Sequence, residues 1–316
     1  MALIVAGPTA SGKSALALAL ARRLGGTVIN ADSMQLYREL RVLTARPTPA
    51  EEAEVPHRLY GVRPAAEAAS VAWWREAALA EMAAASAEGR LPILCGGTGL
   101  YFLSLTEGLS AIPPVPAAAR GEARSLLAEL GAPGLHARLA ALDPETAATL
   151  SPGDSQRVAR AWEVARGTGR GLLAWRREGA HTGPAPWHFV ALLLDPPRPA
   201  LREAIAARFD AMLASGALEE ARGLVALGLD PALPAMRAHG VPELAAHLAG
   251  QMSLEKARRR AVLNTGRYTK RQATWFRHHP LADPARTHII HARIAGMEQF
   301  SESEAEEIFA FVHSCR

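Results

Sequence analysis

The apolar residues of this chain form two alternating patterns from Met1 to about Leu109. Short runs of consecutive apolar residues alternate with longer stretches in which apolar residues recur every three or four positions. The short runs are typical of buried parallel strands, and the longer periodicity is typical of amphipathic helices. Strands are predicted at 3–6, 27–31 and 91–95, and helices at 14–24 and 71–86. This alternation predicts an α/β fold in which helices cover a parallel sheet.

The pattern changes at the proline-rich segment Ala111–Pro116, which is incompatible with a helix. From Ala117 to about Trp175 no strand is predicted, and helical patterns cover 120–130, 134–142 and 155–166. A strand pattern returns at Trp187–Asp195, and helical patterns follow over 198–227 and 254–276. We therefore predict an all-helical insertion at 114–186, between a first core segment at 1–113 and a second at 187–316.

The composition indicates a large hydrophobic core and a basic stretch within the second core segment. The chain has 316 residues, of which 49% are hydrophobic and only 5% aromatic, so a large, helix-rich core is expected. The sequence pI is about 9.4. Eight basic side chains lie within residues 256–277, and the only acidic residue next to them is Glu255, which directly precedes this stretch. Such a stretch attracts phosphate backbones, and a solvated helix face is the alternative.

Several classes of protein are not supported by the sequence. Two cysteines, Cys95 and Cys315, make a disulfide framework implausible and fit a reducing, cytoplasmic environment. No apolar run approaches the roughly 20 residues of a membrane span, and the predicted strand at the N-terminus is unlike a secretory signal. The histidines show no ligand spacing with cysteine, so no zinc site is predicted.

A glycine-rich segment joins the first predicted strand to the first predicted helix. It fits the P-loop pattern G-x-x-x-x-G-K-[ST] and consists of Gly7, Pro8, Thr9, Ala10, Ser11, Gly12, Lys13 and Ser14. A glycine turn before a helix N-terminus directs backbone N–H groups at one point, where a polyphosphate binds. Lys13 is expected to contact terminal phosphate oxygens, and the Ser14 hydroxyl a divalent metal. A P-loop NTPase-like sheet is predicted, and a chance match in a glycine-rich loop is the alternative.

The carboxylate that usually holds magnesium in an NTPase is missing from its expected place. The predicted strand at 91–95 is followed by Gly96-Gly97-Thr98-Gly99, which contains no acid. The strand at 189–194 ends in Asp195, but two prolines follow it. The acid at a strand end early in the chain is Asp32. The P-loop therefore predicts phosphate binding without predicting nucleotide hydrolysis.

An ordered set of motifs, covering nearly the whole chain, resembles the tRNA dimethylallyltransferase (tRNA isopentenyltransferase) family. The matching segments are Gly7–Ser14, Asp32–Tyr37, Thr44–Pro47, Gly96–Tyr101, Asp154–Arg160, Leu213–Gly216 with Glu220 and Arg222, and Lys270–Arg277. The chain departs from the family pattern at three places. Val241 stands where a tyrosine is usual, Arg46 where lysine is common, and Gly61 where an acid is frequent.

The resemblance implies that the P-loop grips the diphosphate of dimethylallyl diphosphate rather than a nucleotide. The exocyclic N6 amine of the adenosine 3′-adjacent to the anticodon, position 37, would attack the allylic carbon in tRNAs that read codons beginning with U. It also implies Mg²⁺ on Ser14 and the diphosphate oxygens as cofactor, and a monomeric, cytoplasmic enzyme with no membrane partner. Preorganised donors at the departing diphosphate lower such a barrier most, and Lys13, Thr98 and Arg222 are the expected side chains.

Asp32 is the candidate base, because a carboxylate within hydrogen-bond reach can orient the weakly nucleophilic amine and accept its proton. A helix N-cap is the alternative role for Asp32. The resemblance places contacts to the tRNA anticodon stem-loop at Asp32, Ser33, Met34, Gln35, Thr98, Arg120, Gln156, Arg157, Val158, Ala159, Arg160, Met236, Arg237, Ala238, His239, Gly240 and Val241. For Arg157 and Arg160, ordinary surface arginines are the alternative.

Three other functions are compatible with parts of the sequence. A P-loop small-molecule kinase would turn over ATP and use Asp32 to hold the acceptor hydroxyl. An adenylate isopentenyltransferase would perform the same chemistry on AMP or ATP, but it needs neither the helical insertion nor the basic stretch at 256–277. A non-enzymatic RNA-binding protein with an inactive P-loop is disfavoured by the intact Lys13, Ser14 and Asp32.

Overall fold

Parallel strands form the centre of the molecule in a computed structural model that describes residues 1–179, 181–294 and 302–315. Within these residues, six strands make one sheet in the order β3-β2-β4-β1-β5-β6, and every pair is parallel. The strands are β1 (Ala2–Ala6), β2 (Gly26–Asn30), β3 (His57–Arg58), β4 (Leu91–Gly96), β5 (Phe189–Leu194) and β6 (Thr287–Ile290).

Helices surround and connect these strands. They are α1 (Lys13–Leu24), α2 (Pro49–Glu54), α3 (Val71–Ala87), α4 (Gly99–Thr106), α5 (Ala117–Leu142), α6 (Pro144–Ala148), α7 (Ser155–Thr168), α8 (Leu172–Glu178), α9 (Arg198–Ala214), α10 (Ala217–Ala226), α11 (Val241–Leu248), α12 (Leu254–His278) and α13 (Glu302–Ser314). Short 3₁₀ helices lie at Ser33–Leu36, Ala235–Arg237 and Pro284–Arg286. The predicted α/β architecture, with a parallel sheet covered by helices, is confirmed.

Contacts within the chain divide it into two compact units, Gly108–Pro184 and the remainder, Met1–Glu107 with Ala185–Arg316. The larger unit contains the sheet, whose two faces are both covered. One face packs side chains such as Ile4 and Leu94 against Trp74 of α3 and Phe276 of α12. The other face packs Val5 against α1 and α13. Burial on both faces explains why the central strands are almost continuously apolar.

The smaller unit consists of helices α5–α8 with its own apolar core. Trp162 of α7 packs there with Leu135 and Leu139 of α5. Helix α5 is broken at Gly131, where φ is 67° and ψ is 177°, so the separate helical patterns at 120–130 and 134–142 correspond to its two segments. No strand occurs in this unit among its described residues, which exclude Ala180.

The strand register brings three loops to one edge of the sheet. Ala6 of β1 lies opposite both Gly96 of β4 and Leu193 of β5, and Asn30 of β2 lies opposite Cys95. The P-loop follows β1, Asp32 follows β2 and Thr98 follows β4. Because ligands of open parallel sheets bind at the carboxyl ends of the strands, this edge is the expected site. None of the helices described is both long and apolar enough to cross a membrane.

Candidate active site

The P-loop is shaped by its own turn and by a segment from the far end of the chain. The Ser11 N–H donates to the Pro8 carbonyl at 3.2 Å, and the Ile294 N–H donates to the Ser11 carbonyl at 2.9 Å. Gly12 has φ of 96°, and a Cβ built there would lie 1.8 Å from the Ile294 carbonyl oxygen. Glycine is therefore required at position 12 by both its backbone conformation and this close approach.

Lys13 begins helix α1 and is buried, with its Nζ 3.4 Å from the Pro8 carbonyl oxygen. Burial lowers the pKa of its ammonium, and the nearby Asp32 carboxylate opposes that shift. The charge of Arg208 lowers the same pKa further. The neighbouring Ser14 is exposed at the first turn of α1. The predicted phosphate cation is thus held inside the loop, whereas Ser14, the predicted metal-binding residue, is exposed and its side chain hydrogen-bonds the buried Cys95 thiol.

Gln272 of α12 joins the P-loop to the loop after β4. Its Oε1 accepts from the Thr9 N–H at 2.9 Å and from the Thr9 hydroxyl at 3.1 Å, and its Nε2 donates to the Gly97 carbonyl at 2.9 Å. The side chain is 5% exposed. Buried polar groups in folded proteins are hydrogen-bonded, and through these three bonds Gln272 positions two site loops relative to each other.

Replacing Gln272 by leucine is therefore expected to lower the free energy of unfolding by about 1–3 kcal/mol, because the Thr9 and Gly97 groups lose their buried partner. Loosening of the P-loop should also weaken diphosphate binding. Thermal unfolding with and without inorganic diphosphate measures both effects. An unchanged melting temperature and unchanged diphosphate affinity would show that the two loops hold their positions without this side chain.

Asp32 caps the 3₁₀ helix Ser33–Leu36, because its Oδ1 accepts from the Met34 N–H at 3.0 Å. Its main chain is fixed by Asn30, whose side chain donates to the Asp32 carbonyl and accepts from the Asp32 N–H. Next to it, the Thr98 hydroxyl accepts from the Ser33 N–H at 3.0 Å and lies 3.3 Å from the Ser33 hydroxyl. The capping role is observed, and it uses one carboxylate oxygen.

The charge of Asp32 acts on several ionisable groups around it. It raises the pKa of Lys13 and Arg208 against the lowering that burial causes in each. After burial, which is the main cause, it also raises the pKa of the Tyr101 and Tyr268 hydroxyls. These groups come from α1, α9, α4 and α12. The charge of Asp32 therefore acts on ionisable groups from four different helices.

Two arginines of the α9–α10 region have very different surroundings. Arg222, the predicted diphosphate donor, forms an ion pair with Glu219 on its own helix, and 54% of its side chain is exposed. Arg208 of α9 is half-buried, donates to the Thr44 carbonyl at 3.4 Å, and has a pKa lowered chiefly by burial. Helix α9 packs Ala204 and Ile205 against Ala10 of the P-loop, and the charge of Arg208 acts on Lys13, whereas Arg222 is paired at the surface. The diphosphate role of either arginine stays a proposal.

A sequence signal for Arg208 exists, since it falls at helical spacing among the apolar residues Leu201, Ile205, Phe209 and Met212 of the pattern at 198–227. An arginine at such a position is predicted to be at least partly buried, and buried arginines require a partner. Gln272 has the same signal on α12, where it falls at helical spacing with the buried Thr265, Thr269 and Phe276.

The other candidate acid, Asp195, follows β5 and is neutralised. Its two carboxylate oxygens accept from Nε and Nη2 of Arg277, each at 2.9 Å. The ion pair raises the pKa of Arg277, mainly through these hydrogen bonds. Cys95 of β4 is buried, and burial raises the pKa of its thiol to about 11, so the thiol is protonated at neutral pH. Neither group offers a free base or nucleophile at this edge.

The predicted tRNA contacts at 236–241 lie on and just after the 3₁₀ helix Ala235–Arg237. Arg237 is exposed and Met236 is half-buried, whereas Ala238 and Val241 are buried in the core formed with α10–α12. Position 241, where the family pattern has tyrosine, therefore faces this core. Arg237 and Met236 stay predictions as tRNA contacts, and the buried side chains serve packing.

His239 and Gly240, the other two predicted tRNA contacts of this segment, lie next to aromatic side chains. Gly240 has φ of 94°, and a Cβ there would lie 2.9 Å from the Phe209 ring. The His239 ring lies 4.7 Å from the Tyr268 ring, and burial lowers the pKa of His239. A histidine with a lowered pKa is neutral at neutral pH, so His239 adds no charge for a tRNA phosphate.

The predicted contacts next to Asp32 are partly used by the fold itself. The Gln35 Nε2 donates to the Thr44 and Ala45 carbonyls, at 2.9 Å each. Met34 and Ser33 are half-buried in the same 3₁₀ helix. The amide nitrogen of Gln35 therefore fixes the loop at 44–45, and contacts from this helix to tRNA stay a prediction.

In the helical unit, the predicted contacts on α7 divide into exposed and buried side chains. Val158 is fully buried in the core of this unit, while Gln156, Arg157 and Arg160 are exposed. Arg157 pairs with Asp154 at 3.6 Å, and Arg160 pairs with Glu163 at 3.2 Å. Two further predicted tRNA contacts lie in this unit. Ala159 of α7 is half-buried, and Arg120 of α5 is exposed. The exposed residues stay predictions as tRNA contacts.

Comparison with known proteins agrees with this architecture. The phosphate-binding loop and its sheet define a protein of the P-loop class. The family model described as IPP transferase matches residues 35–279. A relative from Acidiphilium cryptum, named tRNA dimethylallyltransferase, is 61% identical over 98% of this chain and 94% of its own length. A relative of the same name from Granulibacter bethesdensis is 59% identical over 99% of this chain and 98% of its own length.

Solved structures give the same result. The tRNA isopentenylpyrophosphate transferase from Bacillus halodurans is 31% identical, with a TM-score of 0.69 over 99% of this chain and 95% of that one. A eukaryotic dimethylallyltransferase acting on tRNA has a TM-score of 0.80 at 23% identity, over 100% of this chain and 80% of that one, and it supports the fold alone. The chain belongs to the IPP transferase family.

Proposed function

We propose that the protein transfers the dimethylallyl group of dimethylallyl diphosphate to the exocyclic N6 amine of adenosine 37 in tRNAs that read codons beginning with U. The observation that carries this proposal is the meeting of the P-loop, which holds the buried Lys13, with the Asp32 loop at the carboxyl-terminal edge of the sheet. Helix α9 packs against Ala10 of the same loop, and the charge of its Arg208 acts on Lys13. A buried and a half-buried cation match a diphosphate, and the Asp32 carboxylate at the same edge matches an amine that must lose a proton.

In the proposed reaction, a bond forms between N6 and the allylic C1 carbon while the bond between C1 and the diphosphate oxygen breaks. The diphosphate leaves with the electron pair, and the N6 proton passes to Asp32. Negative charge grows on the diphosphate in the transition state, so Lys13, Arg208 and the loop N–H groups bind the transition state more strongly than the substrate. The Thr98 hydroxyl, held beside Ser33, lies on the Asp32 side of the site.

A divalent metal fits this site only with the help of the substrate. Among the described residues, no group of three or more His, Cys, Asp or Glu side chains could hold a metal ion. Ser14 is an exposed residue of the first turn of α1. Mg²⁺ often keeps several waters and binds through few protein ligands together with substrate phosphates. We propose that Ser14 and the diphosphate oxygens hold Mg²⁺, which would neutralise part of the diphosphate charge.

The decisive experiment incubates the protein with labelled dimethylallyl diphosphate and, in separate reactions, tRNA, AMP or ATP. Label in tRNA, located at adenosine 37 by nucleoside analysis, is the expected result. Label in AMP or ATP would instead support the adenylate isopentenyltransferase function. Robust ATP hydrolysis without tRNA would support the small-molecule kinase function. We also propose that the enzyme works as a monomer in the cytoplasm.

The two arginines of the α9–α10 region provide a matched test of the diphosphate site. Arg208→Gln is expected to reduce turnover about 10²–10³-fold, the usual cost of losing one preorganised donor. Arg222→Gln is expected to remain within about twofold of wild type, because exposed ion pairs such as Arg222–Glu219 contribute little. The measurement is turnover at saturating tRNA and dimethylallyl diphosphate. The reverse order of effects would return the role to Arg222.

We propose that the helical unit contributes tRNA phosphate contacts through the exposed arginines of α7. Changing both Arg157 and Arg160 to glutamate should weaken binding of the anticodon stem-loop and reduce its salt dependence, by roughly 0.7–0.9 in slope for each phosphate that the variant no longer neutralises. Arg177→Glu is the matched control, since Arg177 is an ion-paired arginine on α8 of the same unit. A salt slope equal to wild type would show that the α7 arginines only face solvent.

A further inference from the structure

A short segment after β6, residues 291–294, lies directly against the P-loop. The Ile294 N–H donates to the Ser11 carbonyl at 2.9 Å, and the Ile294 carbonyl occupies the space in which a side chain at Gly12 would lie. Ile294 is 4% exposed and packs in the same apolar cluster as residues of α1. The segment is therefore part of the wall of the phosphate-binding loop.

Arg293 is brought to the loop by this segment. Its Nε donates to the Ala10 carbonyl at 3.0 Å, which leaves the two terminal guanidinium nitrogens for another partner. In the part of the chain that the structure describes, no carboxylate forms an ion pair with Arg293. A partly buried guanidinium held on a main-chain carbonyl, without an acid beside it, is suited to an anion that arrives from solution.

The electrostatics of the neighbouring groups agree with this geometry. Burial is the main cause that lowers the pKa of Arg208, and the charge of Arg293 lowers it further. The charge of Arg208 in turn lowers the pKa of Lys13. Arg208 therefore repels Lys13 and is itself repelled by Arg293, and the Asp32 carboxylate acts on Lys13 and Arg208. A diphosphate placed among the three cations would relieve that repulsion.

We propose that Arg293 is a further diphosphate-binding residue of this protein, acting through its terminal guanidinium nitrogens on the leaving group; the proposal rests on the proposed function. The contact strengthens as the bond between carbon and oxygen breaks and charge moves onto the diphosphate. Removal of the guanidinium therefore affects both the affinity for the diphosphate and turnover. Binding of the tRNA is not affected.

The experiment measures binding of inorganic diphosphate by calorimetry, without tRNA. Arg293→Gln is expected to raise the Kd roughly 10- to 100-fold, the range for removal of a charge-assisted hydrogen bond. Arg293→Lys, which keeps the charge, should recover part of the affinity. Arg286→Gln is the matched control and should bind as wild type does, because Arg286 precedes β6 at the opposite edge of the sheet. Affinity for the anticodon stem-loop should be unchanged in all variants.

A purely structural role for Arg293 predicts a different result. Arg293→Gln would then lower the melting temperature, while inorganic diphosphate would raise that temperature as much as in wild type. Such a result, or a Kd within twofold of wild type in a folded variant, overturns the proposal. If Arg293→Gln does not fold, wild-type diphosphate affinity in Arg293→Met would overturn it equally. Wild-type protein that binds diphosphate but transfers nothing to tRNA would contradict the proposed function and leave this site intact.

Discussion

Asp32→Asn is expected to fold, to bind both substrates, and to lose transfer by about 10²–10⁴-fold, the range for removal of a positioned acid–base group. The amide retains the shape of the side chain and one acceptor oxygen, but it cannot accept the N6 proton. The loss should appear in single-turnover transfer rather than in tRNA affinity, as for an interaction made mainly in the transition state.

Because Asp32 is also a helix cap, variants at this position can separate its capping role from its proposed role as a base. Asp32 accepts from the Met34 N–H, and asparagine caps helices about as well as aspartate, so the melting temperature of Asp32→Asn should equal that of wild type. Asp32→Ala removes cap and base together and should also lower the free energy of unfolding by about 0.5–2 kcal/mol. Full transfer by the asparagine variant would show that capping is the whole role of Asp32.

Lys13→Ala is expected to lower turnover at saturating substrates by about 10²–10³-fold, because it removes a charge-assisted donor to the departing diphosphate. Stability should not fall with activity. Burial lowers the pKa of Lys13 and Arg208 repels it, so the charged ammonium opposes folding when no diphosphate is bound. The melting temperature without ligand should therefore equal or exceed that of wild type.

When inorganic diphosphate is bound, wild type is expected to be more stable than Lys13→Ala. The increase in melting temperature on addition of inorganic diphosphate should be smaller in Lys13→Ala than in wild type, because a ligand that binds the native state stabilises it more when its affinity is higher. Near-wild-type turnover in Lys13→Ala would contradict the assignment of this loop to the leaving group.

Local sequence predicted the elements that depend on neighbouring residues. The helices α1, α3, α7 and α12 lie close to their predicted ranges, and the central strands β1, β2, β4 and β5 were all expected. Each has a clear periodicity or a continuous apolar run, which is the signal of an element buried on one or both faces. The edge strands β3 and β6 were missed because two and four residues are too short to show a period.

Only some of the candidate site residues could be predicted from local sequence. The P-loop residues and Asp32 could be predicted because strand–loop–helix motifs place them by their order in the chain. Arg222 is predicted from its place in a motif and stays a prediction, whereas Arg208 is indicated only by the packing of α9 against the P-loop residue Ala10. The choice between these two arginines depends on which face of each helix is buried, and that is decided by packing.

By itself, the sequence determined a P-loop on a parallel sheet, the absence of a hydrolytic acid after the 91–95 strand, and the acid at the end of β2. Tertiary structure alone decided which distant residues complete this edge. Gln272 reaches Thr9 across 263 positions of sequence, and Arg293 reaches Ala10 across 283. Periodicity and motifs describe interactions between residues near in sequence, whereas these contacts exist only because the folded sheet brings β1, α12 and the segment after β6 together.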